Sequence, residues 1–129
     1  MSSSTEVVAV KDGTQQRPVP TAWRPVFREI VDAFVARDYG LTGSVPGVEP
    51  VSTDKASQIR EYVDGYGATL AGLSDETWES SVCIWYGTHW DALIDLWTEE
   101  EGRSDLVLHA KVSESGSGFS FSVYMVYVP

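Results

Sequence analysis

The chain is poor in the residues that small proteins use for chemistry. Its 129 residues include one cysteine and two histidines. A single cysteine, Cys83, cannot form an internal disulfide, and its apolar neighbours in sequence indicate a small strand hydrophobe. No HExxH motif and no Cys/His pairing occurs, so no standard zinc site is indicated. The P-loop, GxGxxG, GxSxG and CxxC motifs are also missing. We therefore expect no cofactor.

Positive charge is scarce as well. Nine Lys and Arg residues stand against nineteen Asp and Glu residues, which gives a net charge of −10. The two signs balance in residues 1–40, and acids dominate afterwards. An acidic surface repels phosphate backbones and anionic lipid, so we expect no nucleic-acid and no membrane partner. The charge is compatible with a basic protein partner, and solubility alone explains it equally well.

Long apolar runs and targeting signals are missing too. No run approaches the roughly 20 residues needed to span a bilayer, and the first residues carry neither a basic nor an apolar signal-peptide region. We therefore expect a cytoplasmic protein.

The composition that remains is that of a folded domain. Apolar residues make up 43% of the chain and include five tryptophans. This is enough for one hydrophobic core. Residues 1–20 are predicted to be a flexible N-terminal arm, with an edge strand at Val7–Val10, because they are rich in Ser, Thr and Pro. Residues 21–129 are predicted to form a single α+β domain.

Two helices are predicted at the start of that domain. Thr21 is the expected N-cap of the first, with Pro25 in its first turn, and apolar residues recur at helical spacing until about Arg37. The second is expected to be capped by a residue in 52–54 and to continue to Leu73.

From Glu79 onward the apolar period changes from 3.6 to 2, which predicts strands. Four are expected, at about 80–86, 90–98, 104–113 and 118–128, and the short connections require antiparallel hairpins. The predicted fold is α+β, with two N-terminal helices packed on one face of a four-stranded antiparallel meander.

Alternation assigns each side chain to one face of the sheet. The expected inward residues are Val82, Ile84, Trp90, Ala92, Ile94, Leu96, Leu106, Leu108, Ala110, Val112, Phe119, Phe121, Val123 and Met125. The expected outward residues are Cys83, Trp85, Asp91, Leu93, Asp95, Trp97, Asp105, Val107, His109 and Tyr124. A solvated face normally carries Lys, Thr and Glu, so indoles and carboxylates indicate a recognition surface. The alternative is that the arm, a loop or a second subunit covers this face.

The acidic stretch Glu99–Glu101 and Gly102 form the predicted turn between two apolar strands. Its spacing does not match a calcium-binding loop, so a solvated turn is the simpler interpretation and no metal site is predicted. Arg103 lies between Glu101 and Asp105, and a forked salt bridge to these acids would fix the turn. Binding of a substrate anion by Arg103 is the alternative.

His89 and His109 can be brought close to Asp91 or Asp95 across the sheet. A histidine beside a carboxylate is suited to acid–base chemistry. A strand histidine is also often purely structural, and both interpretations stay open.

The segment from Trp90 to Leu108, with the pattern W-x-x-L-x-D-L-W-T-x-E-E-G-R-S-D-L-x-L, resembles a family of small bacterial domains of unknown function. The likeness covers roughly residues 22–129. It implies a compact α+β domain with this hairpin as its hallmark, and it implies no catalytic residues.

The leading hypothesis is a non-enzymatic protein-binding module, of which an immunity-type protein that neutralises a basic partner is one version. The candidate partner-binding residues are Trp85, Trp97, Asp91, Asp95, Glu99, Glu100, Glu101, Arg103, Asp105 and His109. The alternative is a small-molecule-binding protein or small enzyme with a pocket between helices and sheet and a His–Asp pair. A homodimer through the outer sheet face is a third possibility.

Overall fold

The computed structural model describes residues 6–129 and combines two α-helices with one antiparallel sheet. The helices are α1 (Arg24–Val35) and α2 (Thr53–Tyr66). The strands are β1 (Arg17–Pro18), β2 (Leu70–Ala71), β3 (Val82–Trp85), β4 (Trp90–Thr98), β5 (Gly102–Ser115) and β6 (Gly118–Tyr127). The predicted α+β class with an antiparallel sheet is confirmed. No helix within residues 6–129 has the length and apolarity to cross a membrane.

The sheet has six strands, so the prediction of four was wrong. Its order is β1-β3-β4-β5-β6, and β2 pairs with the end of β4. Strands β3 to β6 are the four predicted hairpin neighbours. The two additional strands have two residues each, which is too short for an alternating pattern to show in the sequence.

Strand β4 has a gap along one edge, because β3 pairs with residues 90–93 and β2 with residues 97–98. Two buried hydroxyls fill this gap. Ser81 Oγ accepts the backbone N–H of Asp95 at 2.9 Å, and Thr77 Oγ1 donates to the Asp95 carbonyl at 2.6 Å. These two side chains take the place of a neighbouring strand at this one residue. The backbone N–H and C=O of Asp95 are therefore both hydrogen-bonded.

Helix α1 begins later than predicted. A 3₁₀ turn at Thr21–Trp23 precedes it, Pro25 lies in its first turn, and no side chain caps it. The predicted N-cap role of Thr21 was wrong, because Thr21 Oγ1 accepts the backbone N–H of Val7 at 2.8 Å instead. Residues of α1 join the same buried cluster as the sheet; these are Phe27, Ile30, Val31 and Phe34.

Helix α2 ends seven residues before the predicted end. Ser52 caps its start by accepting the N–H of Lys55, and Gly67 ends it with φ of 87°. A left-handed residue at this position stops a helix, and glycine adopts it without steric cost. Leu70, predicted to continue the helix, lies in β2.

The exposed edge of β6 is covered by short contacts. Glu49 N–H donates to the carbonyl of Phe121, and Phe121 N–H donates to that of Gly47. From α2, Lys55 Nζ donates to the carbonyl of Val123 at 3.1 Å. Covering an edge strand in this way limits pairing with other chains.

The described part of the N-terminal arm starts at Glu6; its first five residues lie outside the described residues. Thr21 N–H donates to the carbonyl of Val7 at 2.9 Å, and Trp90 Nε1 donates to that of Val10 at 3.0 Å. The predicted strand at Val7–Val10 was wrong, and the strand of the arm is β1.

The inward rows of β4 and β5 were predicted correctly. Their members are at most 1% exposed: Trp90, Ala92, Ile94, Leu96, Leu106, Leu108, Ala110 and Val112. In β3 the prediction was wrong. Cys83 pairs with Ala92 and Trp85 with Trp90, so both face inward and Val82 and Ile84 face outward.

In β6 the alternation shifts at a bulge. Ala110 pairs with Val123 but His109 pairs with Met125, so Tyr124 is an extra residue. Val126, fully buried, therefore replaces Met125 in the inward row. The prediction that Met125 belongs to that row was wrong.

Replacing Ser81 with alanine should destabilise the domain. The change removes the acceptor of the Asp95 N–H in a site where Ser81 is 2% exposed. An unpaired buried backbone group costs about 1–3 kcal/mol. Urea denaturation should show this loss, and Ser117→Ala, at an exposed turn position, should not. Equal midpoints for the two variants would contradict the role of the hydroxyl.

Cys83 should be unreactive in the folded protein. Burial raises the pKa of the Cys83 thiol to about 11, and the side chain is 4% exposed. Since the thiolate is the reactive form, we expect no labelling by Ellman's reagent at pH 8 and complete labelling in urea. Fast labelling of the native protein would place Cys83 on the outward face.

Candidate functional site on the outer face of the sheet

The face of the sheet opposite to the buried rows carries most of the predicted site residues. We call this surface the outer face and define it by Val82, Ile84, Asp91, Leu93, Asp95, Trp97, Arg103, Val107, His109, Lys111, Met125 and Tyr127. The outward row of β4 is only partly exposed at every residue, whereas the inward row is buried. Polar and apolar side chains therefore share one continuous surface at the centre of the sheet.

At one end of the outer face, one carboxylate lies between two histidines. His89 Nε2 is 3.1 Å from Asp91 Oδ1, and His109 Nε2 is 3.3 Å from Asp91 Oδ2. Neither contact has the alignment of a hydrogen bond, and Asp91 Oδ1 and His109 Nε2 are both buried without such a partner. The predicted closeness of His89 and His109 to a carboxylate is present, and the carboxylate is Asp91.

The other ring nitrogen of each histidine contacts a hydroxyl. His109 Nδ1 is 2.9 Å from Tyr127 Oη, and His89 Nδ1 is 3.1 Å from Thr88 Oγ1. The ring of Tyr124 lies 4.8 Å from that of His109. Such contacts hold the imidazoles in place. No group of three His, Cys, Asp or Glu side chains in residues 6–129 could hold a metal ion.

Asp95 does not take part in this cluster. Its carboxylate accepts a short hydrogen bond from Ser80 Oγ, next to the two hydroxyls that pair its backbone. The Asp95 carboxylate therefore lies nearer to the turn before β3 than to either histidine.

At the other end of the outer face, Trp97 lines a cavity of about 330 Å³. Glu76, Glu79, Ser80 and Arg103 line it with Trp97. The Trp97 Nε1 atom is buried and has no hydrogen-bond partner among the described residues. Sequence reasoning missed the two glutamates, because they come from a 3₁₀ turn at Asp75–Glu79 whose position relative to the sheet leaves no pattern in the sequence.

Arg103 pairs with Trp97 across the sheet and is exposed. Within residues 6–129 it forms no ion pair with Glu101 or Asp105, so the predicted forked salt bridge was wrong. Arg103 and Trp97 instead line the same cavity from adjacent strands.

The acidic turn is held by its neighbours. Glu100 accepts hydrogen bonds from Thr69 N–H at 2.8 Å and Thr69 Oγ1 at 3.0 Å. These bonds lower the pKa of the Glu100 carboxyl. Glu101 accepts from Tyr66 Oη at 2.9 Å and from Thr98 Oγ1 at 3.0 Å. Two of the three glutamates of the turn therefore tie it to the end of α2 and to Thr69 after it, and of these three only Glu99 is left exposed without such a side-chain contact in the described residues.

The residues after the acids also have structural contacts. Gly102 has φ of 76°, and a Cβ there would lie 3.6 Å from the Trp97 ring. Ser104 Oγ donates to the Leu96 carbonyl at 2.8 Å and accepts the N–H of Leu106 at 3.1 Å. Asp105 N–H donates to Tyr66 Oη at 3.1 Å. These contacts show that residues 102–106 form the bulged start of β5 in the hairpin.

Trp85 is not on the outer face. Its ring lies 4.5 Å from Trp90 on the inward side, and Lys11 Nζ lies 5.4 Å from its centroid. The expectation that Trp85 and Trp97 share one surface was therefore wrong.

Replacing Tyr66 with phenylalanine should loosen the acidic turn. The hydroxyl joins Glu101 and the Asp105 N–H, and both contacts are exposed, so we expect a loss of at most about 1 kcal/mol. Thermal denaturation measures this, and amide exchange at Asp105 should become faster. The control Tyr86→Phe, 59% exposed at another turn, should change neither. Unaltered exchange at Asp105 would contradict the proposed contact.

The comparisons with curated proteins and with solved structures gave no match. The model of one family matches residues 31–129, which include α2 and strands β2 to β6. The resemblance to a domain of unknown function is thereby confirmed. The chain belongs to the family Domain of unknown function (DUF7668).

Proposed function

We propose that this protein is a non-enzymatic binding module that holds a basic protein partner on its outer face. The observation that carries the proposal is the outward row of β4, in which Asp91, Leu93, Asp95 and Trp97 alternate acid and apolar side chains at partial exposure. Protein interfaces combine an apolar centre with polar groups that select the partner.

The charge around this row favours a cationic partner. Asp91 and Asp95 lie in the row, and Glu76 and Glu79 lie beside its Trp97 end. Arg103 and Lys111 are the cations of the outer face as defined. The whole chain has a net charge of −10. Such a surface accelerates association with a basic protein. Higher salt screens the charges and weakens the complex.

Trp97 is the proposed anchor. Tryptophan is enriched among residues whose removal costs most binding energy. A lysine or arginine side chain from the partner can lie over the indole while its head group meets Glu76 or Glu79. Neutralisation of a basic toxin, as in an immunity-type protein, is one version of this role.

The test is capture from a lysate of the source organism at low and moderate salt, with identification of bound proteins by mass spectrometry. We expect one basic partner at equal stoichiometry, held more weakly at moderate salt. Trp97→Ala should lower its affinity at least about tenfold, the range of an interface anchor. The double variant Glu76→Gln/Glu79→Gln should slow association.

The matched control is Glu29→Gln/Glu61→Gln, which removes the same charge from exposed helix positions. It should retain the partner. Equal losses in both double variants would mean that net charge alone acts, and retention by Trp97→Ala would exclude this surface. If the protein instead captures only itself, and Trp97→Ala abolishes this capture, the outer face is a homodimer interface.

Acid–base chemistry at His109 is a second candidate. It is favoured by the two His–Asp91 contacts and by the hydroxyl of Tyr127 on the far side of the ring. These groups lie on the outer face and not in a pocket between helices and sheet. A small molecule that raises the melting temperature of the wild type, but not that of His109→Asn, would support it.

A further inference from the structure

Helix α1 is followed by an arginine in the left-handed region. Arg37 has φ of 65°. Its N–H donates to the carbonyl of Phe34, and the N–H of Asp38 donates to that of Ala33, which is the Schellman arrangement. Glycine is the usual residue at the position of Arg37, because a Cβ strains this conformation. The chain therefore has an arginine where glycine would fold with less strain.

The contacts of Arg37 within the domain do not offset this strain. Its guanidinium donates to Asp64 Oδ2 at 3.0 Å and lies 5.8 Å from the centroid of the Tyr39 ring. The side chains of Arg37 and Asp64 are 60% and 47% exposed, and ion pairs at such exposure add little stability. Backbone strain that the fold itself does not need is a feature of ligand-binding sites.

Arg37 lines a cavity of about 330 Å³ between the loop that follows α1 and one face of α2. The helix contributes Thr53, Ala56, Ser57 and Arg60, whose spacing places them on the same face. This volume is at the lower end of the range of small-molecule pockets. None of the lining residues belongs to the outer face, so a site here does not depend on the proposed partner binding.

Two guanidinium groups and one carboxylate are the charged groups of this cavity. Arg60 is exposed and forms no ion pair within residues 6–129. The carboxylate of Asp38 accepts the N–H of Thr42 at 2.9 Å and that of Gly43 at 3.1 Å. Its oxygens are thus already occupied by its own loop, and the arginines are left to meet a ligand.

This balance of charge differs from that of other cavities in the protein. A cavity of about 630 Å³ lies under the N-terminal arm, between residues 6–11 and an aromatic wall of Trp23, Trp90 and Phe119. Acids outnumber cations in its lining, and the same holds for the cavity at Trp97. The cavity beside Arg37, where cations outnumber acids, is therefore better suited to an anion.

Tyr39 adds a free hydroxyl to this cavity. Its side chain is 5% exposed, and its ring lies 5.6 Å from that of Phe34. The hydroxyl forms no hydrogen bond within residues 6–129, yet it is not among the polar atoms that are closed to solvent. Burial raises the pKa of this hydroxyl, and the charges of Arg37 and Arg60 act in the opposite direction. Both arginines therefore lie near a donor that has no partner.

We propose that this cavity binds a small polyol phosphate, whose phosphate group lies between Arg37 and Arg60 and accepts the Tyr39 hydroxyl. The planar forks of arginine match phosphate oxygens. These three side chains carry more N–H and O–H donors than the two oxygens of a carboxylate can accept. A phosphate monoester has nearly two negative charges at neutral pH. The rest of the cavity leaves room for a short carbon chain, whose hydroxyls can meet those of Thr53 and Ser57.

Three probes separate the features of this ligand: glycerol 3-phosphate, inorganic phosphate, and glycerate, which has a carboxylate instead of the phosphate. Each is titrated into the ¹⁵N-labelled protein at about 0.15 M salt, where acids elsewhere in the chain are screened. The readout is the backbone N–H signals of residues 37–43 and 53–60 in ¹H–¹⁵N NMR spectra. We expect glycerol 3-phosphate to shift these signals and to bind more tightly than the other two probes.

Three variants test the proposed contacts. Arg37→Gly removes the guanidinium and the backbone strain together, so its melting temperature should equal or exceed that of the wild type. Its binding of glycerol 3-phosphate should be at least about tenfold weaker, as should that of Arg60→Gln. Tyr39→Phe keeps the ring and removes a hydroxyl without a partner in the described residues. It should fold normally and bind about three- to tenfold more weakly.

The matched control is Lys11→Gln, which removes an exposed cation outside this cavity and should bind like the wild type. The proposal is overturned if glycerol 3-phosphate shifts none of these signals, if Arg37→Gly binds like the wild type, or if Lys11→Gln loses as much affinity as Arg60→Gln. Equal binding of glycerate would exclude the phosphate, and equal binding of inorganic phosphate would exclude the polyol. A lower melting temperature of Arg37→Gly would show that the fold needs Arg37 and would remove the argument from strain.

Discussion

Every backbone polar group of β4 needs a partner, although β3 and β2, which pair with one of its edges, are too short to provide all of them. This requirement organises the molecule. On one edge, β3 and β2 pair with the two ends of β4, and the hydroxyls of Ser81 and Thr77 serve the residue between them. On the other edge, β5 has a bulge opposite Leu96, and there Ser104 Oγ donates a hydrogen bond to the Leu96 carbonyl. Because buried unpaired groups are costly, these small polar side chains are as necessary as the apolar core.

The hairpin segment that is most distinctive in the sequence serves this same requirement. Glu100 and Glu101 bind Thr69, Tyr66 and Thr98, and Gly102 lets the indole of Trp97 lie against the backbone. A dense local pattern of charge can therefore come from turn geometry without any partner. The proposed recognition groups, Trp97, Glu76 and Glu79, meet only in the folded protein and come from two separate segments.

The sequence predicted what depends on long, regular patterns. Burial alternates without interruption over the nine residues of β4, and Asp91 and Asp95 mark its outward face in the sequence, so its two faces could be assigned from the sequence. The four residues of β3 are all apolar, Val-Cys-Ile-Trp, so alternation could not choose a face there. In β6 the bulge at Tyr124 contains no glycine, so no residue type in the sequence indicates it. Leu70 and Leu73 continue the helical spacing of α2, but the left-handed Gly67 ends the helix before them.

The candidate site shows the same division. A histidine–carboxylate pair could be expected on the outer face, but the choice between Asp91 and Asp95 depends on the strand register, in which Leu93 lies opposite His109. The turn that brings Glu76 and Glu79 to Trp97 is set by Thr77, which is buried between them and bound to β4. This hydrogen bond joins two residues that lie 18 positions apart in the chain. No periodic pattern in the sequence indicates such a contact.

The period of two in β4 also separates the proposed binding surface from the inward side of the sheet. Trp90 faces inward and contributes to the cavity under the arm, while Asp91 and Trp97 face outward. Adjacent residues of one strand thus serve opposite surfaces, with the sheet between them. A side chain of the outward row can change without entering the cavity, because no outward residue contributes to the aromatic wall. A shift of register by one residue, in contrast, would exchange the two sets at once. The hydroxyls that pair Asp95 and the bulge at Ser104 fix that register, so they keep both surfaces intact together.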